Sequence, residues 1–110
     1  MRRMVLAAGL ALLTTACAGT SSSPGKAPAS AAQRGRYLAE RECSACHGLD
    51  DQPSRRTGAP PFRALSGRST VELETRLAEI AHGGHFEMRP VTLQPGEARD
   101  LAAYIQSLER

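Results

Sequence analysis

Apolar positions along this chain fall into one continuous run and several helical stripes, separated by glycine- and proline-rich segments. The continuous run is Met4 to Leu13, which follows Arg2 and Arg3. At ten residues it is too short to span a bilayer as a mature helix. Residues 18–30, AGTSSSPGKAPAS, are small, polar and proline-punctuated, a composition that tethers rather than folds. From Ala31 to Cys43 the pattern turns helical, with no interior proline and with Tyr37 and Leu38 in its apolar stripe. Gly35 interrupts it. Glycine costs about 1 kcal/mol relative to alanine inside a helix, so its presence points to a close helix crossing.

Residues 48–68 carry Pro53, Pro60, Pro61 and several glycines, and read as loop. Ser69-Thr70-Val71-Glu72 then spells a capping box. It opens a helix in which Leu73, Leu77, Ile80 and Ala81 recur at i, i+4, i+7 and i+8, and Gly83-Gly84 stops it. A last helix is predicted from near Pro95 to the C-terminus, with Leu101, Tyr104, Ile105 and Leu108 as its stripe. No stretch alternates as a strand, and the expected fold class is all-α with three to four helices.

Composition sharpens this picture. The 110 residues hold four aromatics, Tyr37, Phe62, Phe86 and Tyr104, and no tryptophan. A domain of residues 31–110 with so few large side chains is short of core material. Something other than protein is expected to fill part of it.

The candidate for that role is written in Cys43-Ser44-Ala45-Cys46-His47, the C-x-x-C-H signature of c-type haem attachment. Each thiol can add across a haem vinyl group to form a thioether. The adjacent histidine can then bind iron as the proximal axial ligand. Two other readings of the cysteine pair are weaker. A thioredoxin-like dithiol needs a βαβ setting, and a zinc site needs a fourth ligand that Cys17, in the leader, is badly placed to give. A buried haem would also supply the missing apolar surface.

The opposite axial position has three candidates. Met88 is the one methionine left once the leader is removed, and it lies in a glycine-rich, charged loop where a core-filling role is out of place. A thioether there favours ferrous iron and raises the potential. His82, at a helix end, suits an interaction with the helix dipole better than ligation. His85 is the nearer rival. The carbonyl of Pro60 or Pro61 can accept from the far nitrogen of His47 and so fix its ring; the sequence does not choose between them.

The N-terminus reads as an export signal over residues 1–16. Leu13-Thr14-Thr15-Ala16-Cys17 resembles a bacterial lipobox, although Thr14 stands where leucine is usual. Cleavage after Ala18 is the alternative; a lone cysteine at a leader's end favours acylation at Cys17. A flexible tether over 17–30 would then join a membrane anchor to the domain. Removing Arg2 and Arg3 leaves 12 basic residues against 11 acidic ones, a charge of +1. That balance gives no basis for nucleic-acid binding. The densest basic group, Arg55, Arg56, Arg63 and Arg68, reads as solvated loop surface.

Taken in order, these elements resemble a class I monohaem cytochrome c of the small bacterial type. The resemblance rests on Gly35 and Tyr37, the haem motif, the proline loop, Met88 near Pro90, and Leu101-Ala102-Ala103-Tyr104-Ile105. It implies one covalent haem c, His47 and Met88 as axial ligands, and first and last helices crossing at right angles through positions like Gly35, Tyr37, Leu101 and Tyr104. Arg89 between Met88 and Pro90 departs from the family's common Met-Pro. The implied function is that of a periplasmic single-electron carrier, not an enzyme, docking with an oxidase, reductase or dehydrogenase. A dedicated electron-transfer subunit of a dehydrogenase complex, or a haem sensor or peroxidatic enzyme with an open distal site, are the alternatives.

Overall fold

A computed structural model describes residues 29–84, 88 and 90–109. The expected export signal over 1–16, Cys17 and most of the 17–30 tether lie outside the described residues, as does His85. Three α-helices appear in chain order: α1 (Ala31–Glu42), α2 (Thr70–Gly83) and α3 (Glu97–Ser107), with a 3₁₀ turn at Phe62–Leu65. Among the described residues there is no strand. No helix among them is long and apolar enough to cross a membrane.

α1 begins at a capping box. Ser30 Oγ accepts from the Gln33 amide at 3.2 Å, and the Gln33 side chain accepts from the Ser30 amide at 2.8 Å. Ser30 and Ala29 therefore belong to the folded unit rather than to the tether, a boundary two residues earlier than composition implied. α2 opens on the Ser69–Glu72 capping box and closes at Gly84, whose φ of 67° suits glycine. α3 starts two residues later than Pro95 because Pro95 and Gly96 form a turn first, with Gly96 at φ 86° and the Gln94 amide donating to Glu97 Oε2 at 2.6 Å.

The helix crossing turns on Gly35. A Cβ there would lie 1.9 Å from the backbone oxygen of Asp100, so α1 and α3 approach closer than any side chain allows. Leu38 and Ala39 flank the contact from α1, and Leu101, Ala102, Tyr104 and Ile105 meet it from α3, all buried. Tyr37 corrects the expectation: it is 63% exposed and takes no part in the crossing core. The reason is angular. Tyr37 lies roughly 200° round the helix from Gly35, whereas Leu38 and Ala39 share the glycine's face.

α1 and α2 both pack on α3 and not on each other. Leu73 is the one fully buried residue of α2; Leu77, Ile80 and Ala81 are half-buried. That arrangement leaves a space bounded by the end of α1, the 3₁₀ turn, α2 and the floor of α3.

One member of the basic group also differs from expectation. Arg63 is partly buried, donates to the Leu108 carbonyl at 2.6 Å and pairs with Asp51. It joins the 3₁₀ turn to the end of α3 instead of facing solvent freely. Arg55, Arg56 and Arg68 are exposed.

Candidate haem site

Cys43 is both the last cap of α1 and the first residue of the motif. Its amide donates to Ala39 O at 2.8 Å, and its own carbonyl accepts from Cys46 and His47 at 3.1 and 3.0 Å. Ser44 Oγ donates back to Glu40 O at 2.6 Å. The motif is thus a further helical turn, and residues three and four apart on such a turn share one side. Cys43, Cys46 and His47 are brought together for that reason.

His47 is buried and held from two directions. Its ring lies 5.1 Å from that of Phe62, tilted by 37°. Its Nδ1 is 2.8 Å from the Pro60 carbonyl oxygen. A carbonyl only accepts, so Nδ1 carries the proton and Nε2 keeps a lone pair for a metal. Of the two candidate prolines, Pro60 makes this contact. The Pro61 carbonyl instead accepts from the Ala64 amide at 2.9 Å, starting the 3₁₀ turn.

The loop after the motif closes back onto it. Ser54 Oγ accepts from the Gly48 amide at 2.9 Å. Cys46 O and Gly48 O accept from the amides of Arg56 and Phe62 at 3.2 and 2.9 Å. A Cβ on Gly48 would come within 2.0 Å of Gln52 O, so the fold-back needs glycine there.

Beside this motif opens a cavity of about 530 Å³. Its size falls within the range of roughly 300–1,000 Å³ usual for cofactor sites. Phe62, Leu65, Leu73, Leu77, Ile80 and Ile105 line it, with Cys43 and His47 at one edge. Met88, half-buried, borders the same cavity and also a smaller one of about 240 Å³ that touches Cys46 and His47. His82 is exposed on the last turn of α2 and lines neither.

This chemistry suits a flat apolar group carrying iron, joined by thioethers. The Cys43 thiol is pushed up to about 11, first by burial and then by Glu42 and Cys46. A redox dithiol needs the opposite, a thiol lowered toward neutrality. Among the described residues no three His, Cys, Asp or Glu gather as a bare metal site. What remains is an all-helical c-type haem protein, with a protein scaffold on one side and an apolar cradle on the other.

The family model for cytochrome c matches residues 32–109, and the chain belongs to that family. No curated protein matches it. No solved structure does either. Membership brings one covalent haem c, with Cys43, Cys46 and His47 in the attachment arrangement, and places the protein among haem proteins of electron transfer.

Two features of the site have no clear sequence signal, whereas Phe62, tilted against His47, ends the run from Gly58 that can wrap the histidine side of a haem. Asp50 sits at φ 52°, the one non-glycine residue at positive φ among those described. Its partners, Arg36 and Tyr104, come from α1 and α3.

Proposed function

We propose that the protein is an exported single-electron carrier in which His47 and Met88 would hold the haem iron. The observation that carries this reading is that Met88 and the buried His47 border one and the same apolar cavity. When bound, the haem supplies one-electron Fe(II)/Fe(III) chemistry. The chain's part is to hold the ligands still and keep water out. Pro60 fixes the orientation of the His47 ring through Nδ1. Leu73, Leu77 and Ile80 wall the cradle with side chains that hold no water, which favours the less charged iron state and small reorganisation. A thioether at Met88 favours ferrous iron in the same direction.

Ligation by Met88 leaves no coordination position for substrate, so the protein carries electrons without turnover. Its partners are redox proteins: an oxidase, a reductase or a dehydrogenase. The leader-like N-terminus supports a periplasmic location, with acylation at Cys17 as membrane anchor.

The test is the ferric and ferrous absorption spectrum of matured protein, with carbon monoxide added to the ferrous sample. A weak long-wavelength sulfur-to-iron band without a carbon monoxide shift is expected. Met88→Ala should abolish the band, admit carbon monoxide and lower the midpoint potential. Rapid carbon monoxide binding to the unmodified protein would overturn the carrier reading and favour a sensor or peroxidatic enzyme.

A further inference from the structure

The chain turns at Asp50, three residues beyond His47, with a backbone that residues other than glycine rarely adopt. Aspartate tolerates it better than most, yet the conformation persists only where surroundings hold it. Here they do so from both sides. The Asp50 amide donates to Tyr104 Oη at 2.9 Å, and the Tyr104 hydroxyl donates to Asp50 Oδ1 at 2.9 Å. Arg36 donates through Nε and Nη2 to Oδ2 at 3.1 and 2.8 Å. One residue is thus gripped by α1 through its carboxylate and by α3 through both backbone and side chain.

The turn at Asp50 is also what sends the chain back over the haem motif. Immediately after it, the Gln52 amide donates to Leu49 O at 2.8 Å, and Gln52 O presses against Gly48. From there the loop delivers Ser54 to the Gly48 amide and Pro60 to His47 Nδ1. Phe62, stacked near His47, meets Tyr104 edge-on at 6.2 Å, so the same tyrosine reaches the histidine by a second path.

We infer that Asp50, latched by Tyr104 and Arg36, is a positioning residue for the axial histidine: it fastens the loop that orients the His47 ring to the crossing of α1 and α3. The inference rests on His47 being an axial ligand. Without the latch, the turn relaxes, Pro60 loses its register on Nδ1 and the ring gains freedom about the iron bond.

The test uses matured ferric protein and proton magnetic resonance, reading the haem-methyl shift pattern, which follows the axial ring's orientation, and solvent exchange of the His47 Nδ1 proton. Asp50→Ala is expected to speed that exchange at least tenfold and to redistribute the methyl shifts. Tyr104→Phe, which removes one hydroxyl, moves both in the same direction by less. Asp50→Asn, which tolerates the left-handed turn and still accepts from Tyr104, restores most of the original pattern. If the alanine variant does not mature, Tyr104→Phe decides alone.

A merely structural role would speed amide exchange throughout α1 and α3 while leaving the methyl pattern and the selective Nδ1 effect at wild-type values. That result overturns the inference. Unmodified protein lacking paramagnetically shifted His47 protons would overturn something different, the axial assignment itself.

Discussion

The two sides of α3 solve opposite problems. Toward α1 the protein is finished: Gly35 admits backbone contact, and Leu38, Ala39, Leu101 and Ala102 are at most 4% exposed. Toward α2 it is not. A stripe with the same helical spacing buries Leu73 alone and leaves Leu77 and Ile80 half-covered around the cavity. The difference shows that periodicity reports which face of a helix is apolar but not what will cover it. On one side the cover is another helix; on the other it is a prosthetic group.

Substitutions should therefore separate the two. The largest effect is expected from Gly35→Val, whose Cβ would overlap the Asp100 carbonyl; denaturant unfolding of the holoprotein should show a loss of about 3 kcal/mol or more. Leu101→Ala removes a side chain 2% exposed and should cost roughly 2–5 kcal/mol in the same measurement. Leu77→Ala, at the half-covered wall, should cost less, about 1–2 kcal/mol, while shifting the haem spectrum more than Leu101→Ala does. Equal costs for these two would erase the distinction between the sides.

Alkaline pH probes the finished side. Burial, more than the nearby Asp50 carboxylate, pushes the Tyr104 phenol up to about 12, so the fold favours its neutral form. The associated stability is fully present below the unfolded value near 10 and is lost as pH rises to about 12. Unfolding curves across that window should lose about 1–3 kcal/mol, and Tyr104→Phe should flatten the loss.

The smallest effect is on the acid side. Arg36 holds the Asp50 carboxyl below its usual range, with Tyr104 assisting, and Arg34 does the same for Asp100. Lowered carboxyls stabilise above their unfolded value near 4, and the contribution disappears as pH falls through the folded values. Because the arginines of both pairs are partly exposed to solvent, melting temperature should decline only slightly between pH 5 and 3.

What was legible in the sequence follows the range of the interactions involved. Ser69 and Glu72 are three residues apart, and their capping box could be read directly. So could the haem motif, which is a single helical turn. The equally local Ser30–Gln33 box was obscured by the tether-like residues before it. Tyr37 lies off the crossing because the contact face of α1 is set by Gly35 meeting Asp100, a partner far along the chain. The choice of Pro60 over Pro61 depends on where a fold-back loop comes to rest, and that depends on Asp50 meeting Arg36 and Tyr104. Met88 stands out in the sequence as the one methionine beyond the leader, and its place at the cavity edge follows from chain connectivity that no spacing rule encodes.

The corner where the domain begins has a mechanical meaning. Arg34 donates to the Ala29 carbonyl at 2.6 Å and, through Nε and Nη2, to the Asp100 carboxylate at 2.8 and 2.7 Å. A pull arriving from the preceding chain meets this arginine before it meets the first turn of α1. Part of the load passes sideways into α3 instead of running down α1 toward Cys43. Traction on the domain's starting end is in this way kept off the turn that begins at Cys43.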